Sequence, residues 1–263
     1  MTAERDRGRA PTVRFEHDGH VAVITLERPE RLNAVNDALV RDLCDALGQA
    51  GEELPSAVVL TGAGRAFCAG FDLKEVPDDE DDAAALARLD RLAEVTRRIR
   101  QLSMPVLGAV RGYALGAGFE FAICCDLVIA DPGAVFGFPE VEVGLAVTGG
   151  VTHLLPLVVG PAKANELVLM GARLGAQEAA ALGLVNLVAD DPLAHALEWA
   201  GILAGKPRRA LALAKSCLAA GPTGGLEHAF ALETAASLAL AGTPEARAAA
   251  DAFQGRRSTG TSS

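Results

Sequence analysis

The stretch MPVLGAVRGYALGAGFEFAICCDLVIA, residues 104–130, sets the architecture. Pro105–Val110 reads as a short, fully apolar strand of the kind buried on both faces. GYALGAG (112–118) turns the chain into an apolar helix through Cys125, and Asp126–Ala130 is strand again. Strand, helix and strand in succession predict a right-handed crossover and parallel pairing. The alternation extends outward. Upstream, after a loose start, His20–Glu27 alternates apolar and polar residues, and Pro29 ends it. Asn36 is placed to cap a helix to about Ala50, and Ala57–Thr61 is another apolar strand. A helix is expected over Ala83–Leu102, behind the acidic run Asp78–Asp82, which complements its dipole as a solvated cap. Downstream, Ala134–Phe136 is one more short strand. From about Pro161 the pattern becomes helix after helix, over 161–170, 176–182, 192–204, 207–219, 225–241 and 244–254. An α/β core over 12–200, a helical region over 201–255 and a disordered polar tail over 256–263 are therefore expected.

Composition narrows the function. The chain has 263 residues, half of them hydrophobic, which is ample for a core and unlike a disordered polymer. Its net charge of −10 argues against nucleic acid as a partner, because phosphate binding favours a basic face. The longest apolar stretch, Gly116–Ala130, is broken by Glu120 and Asp126, short of the ~18 residues of a membrane span. MTAERDRGRAPT at the start has no apolar core of a secretory signal. A cytoplasmic protein with no membrane partner is expected. Cys44, Cys68, Cys124, Cys125 and Cys217 form no C-x-x-C pair, and no two of the five histidines lie four residues apart. Thus no metal is expected, and the thiols read as small buried hydrophobes. No G-x-S-x-G elbow is present either.

Two glycine-rich turns follow strands. Gly62-Ala63-Gly64 opens like a dinucleotide fingerprint, but Phe67 stands where the third glycine belongs. The second turn, Gly112–Gly118, lacks the Lys-Ser/Thr of a phosphate loop and carries Glu120 just beyond it. Ala117 there starts a helix whose first N–H groups have no intrahelical acceptor, so they can stabilise an oxyanion. Glu120 lies three residues on, on the same helix face. Either Glu120 snorkels out of an ordinary buried helix start, or it works beside an anion-binding amide. Its neighbours Phe119, Phe121, Ala122 and Ile123 make burial costly without a purpose.

Five segments in order, ERPERLNAVN (27–36), GAGRAFCAGFDLKE (62–75), residues 104–130, AVFGFPEVEVGL (134–145) and GARLGAQEAAALGLVNLV (171–188), resemble the crotonase superfamily of enoyl-CoA hydratases and isomerases. The resemblance spans about residues 20–250. It implies a crotonase-like spiral of β-β-α repeats with a C-terminal helical trimerisation region, assembling as a homotrimer or homohexamer. It places the oxyanion-hole amides at Phe71 and Ala117 and the acid/base pair at Glu120 and Glu140. Glu120 would orient and activate water, and Glu140 would deliver a proton to the α-carbon. The expected reaction is addition of water to a trans-2-enoyl-CoA, giving a 3-hydroxyacyl-CoA, with no cofactor beyond the coenzyme A of the substrate. By position, the acyl-CoA contacts would fall on Arg31, Leu32, Ala34, Ala69, Asp72, Leu73, Lys74 and Gly116. Ala69 would offer its carbonyl to the adenine, and Arg31 and Lys74 would meet phosphates.

Several positions depart from the family pattern. Phe71 replaces a small residue and is expected to reshape the acyl pocket, together with the 83–102 helix. Ala117 replaces a glycine, which a negative φ permits. Arg111 stands where Asn is common, LAVTGGVTHLLPL (145–157) lacks the family's usual arginine, and AAADAFQGRR (248–257) has no clean match. Glu142 reads as surface. The alternatives are an isomerase or another thioester-enolate reaction, and, further off, an acyl-CoA-binding protein without turnover or a nicotinamide oxidoreductase.

Overall fold

The computed structural model describes residues 10–75 and 81–259. Its centre is a six-stranded sheet in the order β1-β2-β3-β4-β6-β9. The strands are β1 (Val13–Asp18), β2 (Val21–Leu26), β3 (Ala57–Gly62), β4 (Val106–Val110), β6 (Leu127–Ala130) and β9 (Leu187–Val188). β1 pairs antiparallel with β2, and every other pairing in this sheet is parallel. A smaller sheet joins β7 (Val135–Gly137) to β5 (Tyr113–Leu115) in parallel and to β8 (Arg173–Gly175) antiparallel.

The apolar runs follow from burial on both faces. Val58 and Leu60 of β3, and Val106 and Val110 of β4, point into the main core. There they meet α1 (Asp37–Glu53) and α2 (Asp82–Gln101). Their alternate neighbours Ala57, Val59, Leu107 and Ala109 face the other way, against Ala196 and Ala200 of α6 (Pro192–Ala204). A period of two with both phases apolar is what a strand covered by helices on each side requires.

The helical expectations hold with shifted ends. Asn36 caps α1 by accepting from the Leu39 N–H at 2.9 Å. Asp81 caps α2 by accepting from Ala84 N–H at 2.8 Å, while Asp78–Glu80 of the acidic run lie outside the described residues. α3 (Ala117–Cys124) and α5 (Ala176–Ala181) fall where the sequence puts them. α4 runs Val151–Leu169, with non-helical Gly160 joining an unforeseen first half to the expected helix from Pro161. α7 (Arg208–Leu240) merges the two helices expected at 207–219 and 225–241 across Gly225.

Two boundaries differ. The division expected at 200/201 passes through α6, whose packing on the sheet makes it part of the core. α8 (Pro244–Thr259) carries helix into the segment expected to be a disordered tail, so 256–259 are corrected to helix; 260–263 lie outside the described residues. Four short strands were not anticipated. β1 lies in the expected loose start and β5 in the expected turn, and β8 and β9 span only three and two residues. No helix among the described residues is long and apolar enough to cross a membrane.

Candidate active site

Two loops, at the ends of β3 and β4, converge. Phe67 N–H donates to the Arg111 carbonyl and Cys68 N–H to the Tyr113 carbonyl, so the first loop runs alongside β5. Gly116 adopts φ +50°, a region that favours glycine, and ends β5 immediately before α3. A Cβ on Gly116 would come within 2.7 Å of Glu140 Oε1, so the glycine also makes room for that carboxylate. At Gly118, a Cβ would sit 2.3 Å from the Cys68 carbonyl oxygen. The start of α3 can therefore press onto the first loop only without a side chain there. Ala117 has helical backbone, the condition its replacement of glycine needed.

These constraints bring Phe71, Ala117 and Glu140 to a single cavity of about 220 Å³. Leu89 and Leu92 of α2 wall it on one side, and Leu145 and Thr148 also face it. Phe71 and the helix over 83–102, both expected to shape the acyl pocket, thus line this cavity. Phe71 presents its ring to the cavity, and Arg88 of α2 lies over that ring, 4.7 Å from the centroid.

The two glutamates have different surroundings. Glu120 is 1 % exposed, and its Oε1 accepts from the Thr148 N–H at 2.8 Å and from the Thr148 hydroxyl at 2.9 Å. Burial raises its pKa above the ordinary carboxylate value, opposed by the Thr148 hydrogen bonds, which favour the charged form. Glu140 opens a short 3-10 turn, Glu140–Val143, and its buried Oε2 has no hydrogen-bond partner among the described residues. Burial chiefly pushes its pKa up to about 7; a hydrogen bond from its own backbone opposes this, and the charge of Glu120 adds to it. Burial shifts both carboxyls upward; donors from Thr148 reach Glu120, whereas the buried Oε2 of Glu140 meets none among the described residues.

The remaining candidates lie on two adjoining segments. Val35 N–H donates to the Gly70 carbonyl at 2.8 Å, Asp72 N–H to the Val35 carbonyl at 2.8 Å, and Ala69 N–H to the Leu32 carbonyl at 3.0 Å. Arg31, Leu73 and Lys74 are exposed on this surface; Leu32, Ala34 and Ala69 are half-buried in it. Asp72 takes another part: its carboxylate is 7 % exposed and pairs with the buried Arg28 guanidinium at 3.2 Å. Its side chain ties the two segments together, and the Ala34 carbonyl accepts from the same guanidinium. Glu142 is exposed, as expected.

Sequence reading gave no role to Asn33, Thr148 or Arg88. Asn33 is fully buried at φ +56°, accepts from Arg28 N–H, and donates to the Ala63 and Ala66 carbonyls. It fixes the first loop. Asparagine's tolerance of the left-handed region was the available signal. Thr148 and Arg88 carried none, because each matters only through a residue distant in sequence. Among the described residues no cluster of three or more His, Cys, Asp or Glu could hold a metal.

The family model for enoyl-CoA hydratase/isomerase matches residues 16–260. A probable enoyl-CoA hydratase of Mycobacterium tuberculosis, EchA14, is 40 % identical over 204 residues, covering 77 % of this chain and 79 % of that one. The 2,3-dehydroadipyl-CoA hydratase of Escherichia coli is 37 % identical over 240 residues, covering 90 % and 93 %. Among solved structures, an enoyl-CoA hydratase from Bacillus anthracis superposes with a TM-score of 0.89 at 31 % identity, covering 93 % of this chain and 96 % of that one.

Proposed function

Since the chain belongs to the enoyl-CoA hydratase/isomerase family and is an enzyme, we propose that it adds water across a trans-2-enoyl-CoA to give a 3-hydroxyacyl-CoA. The observation that carries this is a pair of differently held glutamates: Glu140, which lines the cavity with a pKa of about 7 and its buried Oε2 unbonded among the described residues, and Glu120, buried and held by Thr148, which itself lines the cavity.

The thioester oxygen lies against the amides of Phe71 and Ala117, where the start of α3 adds its dipole. Negative charge collects on that oxygen when a nucleophile reaches C3, so donors fixed in advance stabilise the enolate more than the ground state. Glu120, held by the Thr148 donors that favour its charged form, takes a proton from water as the water oxygen bonds to C3. The electron pair of the double bond passes to the thioester oxygen. It returns as Glu140 gives its proton to C2. The adenosine phosphates lie along the exposed segments, where Arg31 and Lys74 supply local positive charge against a chain of net charge −10.

Loss of the conjugated-thioester absorbance of crotonyl-CoA in water, with 3-hydroxybutyryl-CoA as product, is the expected result. Gain of that absorbance from a 3-enoyl-CoA without any hydration would establish an isomerase instead. Acyl-CoA binding without either change would leave only a binding protein.

A further inference from the structure

Of the two glutamates, only Glu140 lines the cavity. Glu120 is 1 % exposed and no part of that lining, whereas the half-buried Thr148 belongs to it. The Thr148 hydroxyl oxygen lies 2.9 Å from Glu120 Oε1 and 3.0 Å from Oε2. Oε1 already accepts from the Thr148 N–H at 2.8 Å, so among the described residues the hydroxyl is the donor left to Oε2. A hydroxyl has one proton and two acceptor lone pairs. With its proton given to a carboxylate, it can still accept from a water on the cavity side. The turn around it is built for this contact. Gly149 adopts φ +56°, and a Cβ there would come within 2.6 Å of Glu120 Oε2, so a side chain after Thr148 would displace the carboxylate. The Gly149 carbonyl accepts from the Thr96 hydroxyl of α2 at 3.0 Å, which fastens the turn from its other side.

We propose that Thr148 is a further catalytic residue, whose hydroxyl carries the proton from the attacking water to Glu120. This rests on the hydratase reading above and gives the route by which a base outside the cavity lining reaches the water. As the water oxygen bonds to C3, one of its O–H bonds breaks and that proton passes to Thr148 Oγ. The hydroxyl's own proton passes at the same time to Glu120 Oε2. The hydroxyl therefore leaves the step as it entered it and never carries a charge. The electron pair of the double bond moves to the thioester oxygen and returns as Glu140 gives its proton to C2. Glu120 ends neutral and Glu140 ends charged. After the product leaves, Glu120 returns its proton through the same hydroxyl to water, and Glu140 takes one from water.

The test is the pH profile of kcat/KM for hydration of crotonyl-CoA in Thr148→Val, Thr148→Ser and Thr148→Ala, all of which keep the backbone N–H. Thr148→Val keeps the side-chain shape without the hydroxyl, and its fitted plateau should fall by about 10²-fold or more, the scale of a lost proton-transfer group. Its Kd for butyryl-CoA should change little. Thr148→Ser should keep most of the wild-type plateau, and Thr148→Ala, which leaves room for a water to stand in, should fall between Ser and Val. A hydroxyl that only holds the charge of Glu120 would move the acid limb of the profile and leave the plateau in place. That result in Thr148→Val overturns the relay, and so does a serine variant as slow as the valine one. Should Thr148→Val fail to fold or to bind butyryl-CoA, Thr148→Ala decides: a lowered plateau with Kd kept supports the relay, and an unchanged plateau removes it. If the wild type hydrates no 2-enoyl-CoA, the hydratase reading falls and the relay with it, whereas a wild-type plateau in Thr148→Val removes the relay alone.

Discussion

Two of the chain's 34 acidic residues carry the proposed chemistry, and the surroundings of Glu140 set the expectations for pH. Glu140 works as the acid, so kcat/KM should fall tenfold per pH unit above about 7, where its proton leaves. Glu140→Gln removes that limb of the profile. We expect Glu140→Gln and Glu120→Gln each to lower kcat by roughly 10²–10⁴ while the Kd for a product thioester changes little; full activity in either variant removes the two-carboxylate mechanism. Stability should move in the same direction. The folded-state pKa of Glu140 lies above its unfolded value, so its contribution is intact below the unfolded pKa and is lost as pH rises through about 7. The Tm of Glu140→Gln, set against wild type, should therefore be more favourable at pH 8 than at pH 4. An active site that keeps one carboxyl oxygen buried and unbonded, as Oε2 of Glu140 is among the described residues, stores instability for function.

At the scale of elements, the site depends on backbone closeness that only particular residues permit. Gly118→Ala would place a Cβ 2.3 Å from the Cys68 carbonyl oxygen, whereas a Cβ at Gly201, inside α6, meets nothing within 4 Å. Denaturant melts should accordingly show Gly118→Ala destabilising by about 1–3 kcal/mol with activity lost, as strain at the oxyanion turn requires. Gly201→Ala should leave activity intact and gain about 1 kcal/mol from helix propensity. Comparable melts for both would mean that α3 does not need its contact with the first loop. The same contrast explains what sequence could reveal. The buried parallel strands were legible because both faces are apolar, and α1 because Asn36 announces its start. β8 and β9 are too short to show a period. β1 is strand where a loose start is expected, and VRFEHD does alternate. Within the site, Glu120, Glu140, Phe71 and Ala117 were reachable because segments 62–75, 104–130 and 134–145 carry them in order. Position in the family places Asp72 among the coenzyme A contacts, and its local sequence cannot show Arg28, 44 residues away, with which its carboxylate pairs. Thr148 was equally hidden, since its hydroxyl matters only once the fold brings it to Glu120.

For the whole molecule, the acidic surface and the long C-terminal helices pose one question: what covers α7. It has 33 residues and none of those described is buried. Its first half is fastened to the core by Arg208, which donates to the Leu54 and Pro55 carbonyls, and by Lys215, which pairs with Asp126 at 2.7 Å. Farther along, Leu226, Phe230 and Leu238 are 67 %, 50 % and 72 % exposed. A lone chain has little reason to keep such a face in water, since each large apolar side chain gains about 1.5–3 kcal/mol when fully buried. We propose that further copies of the chain cover it, in the trimer or hexamer that the resemblance implies. Closed association is the usual outcome for a self-complementary surface, and it would shield this face without calling on another protein. Sedimentation at micromolar concentration should give three or six chain masses for the wild type. Leu226→Asp with Leu238→Asp should shift it toward the monomer and lower Tm, because two charges would then be buried without partners on assembly. A wild-type chain that sediments as a monomer, with an unchanged Tm in the double variant, would show that α7 stands in water and that the site is complete in one copy.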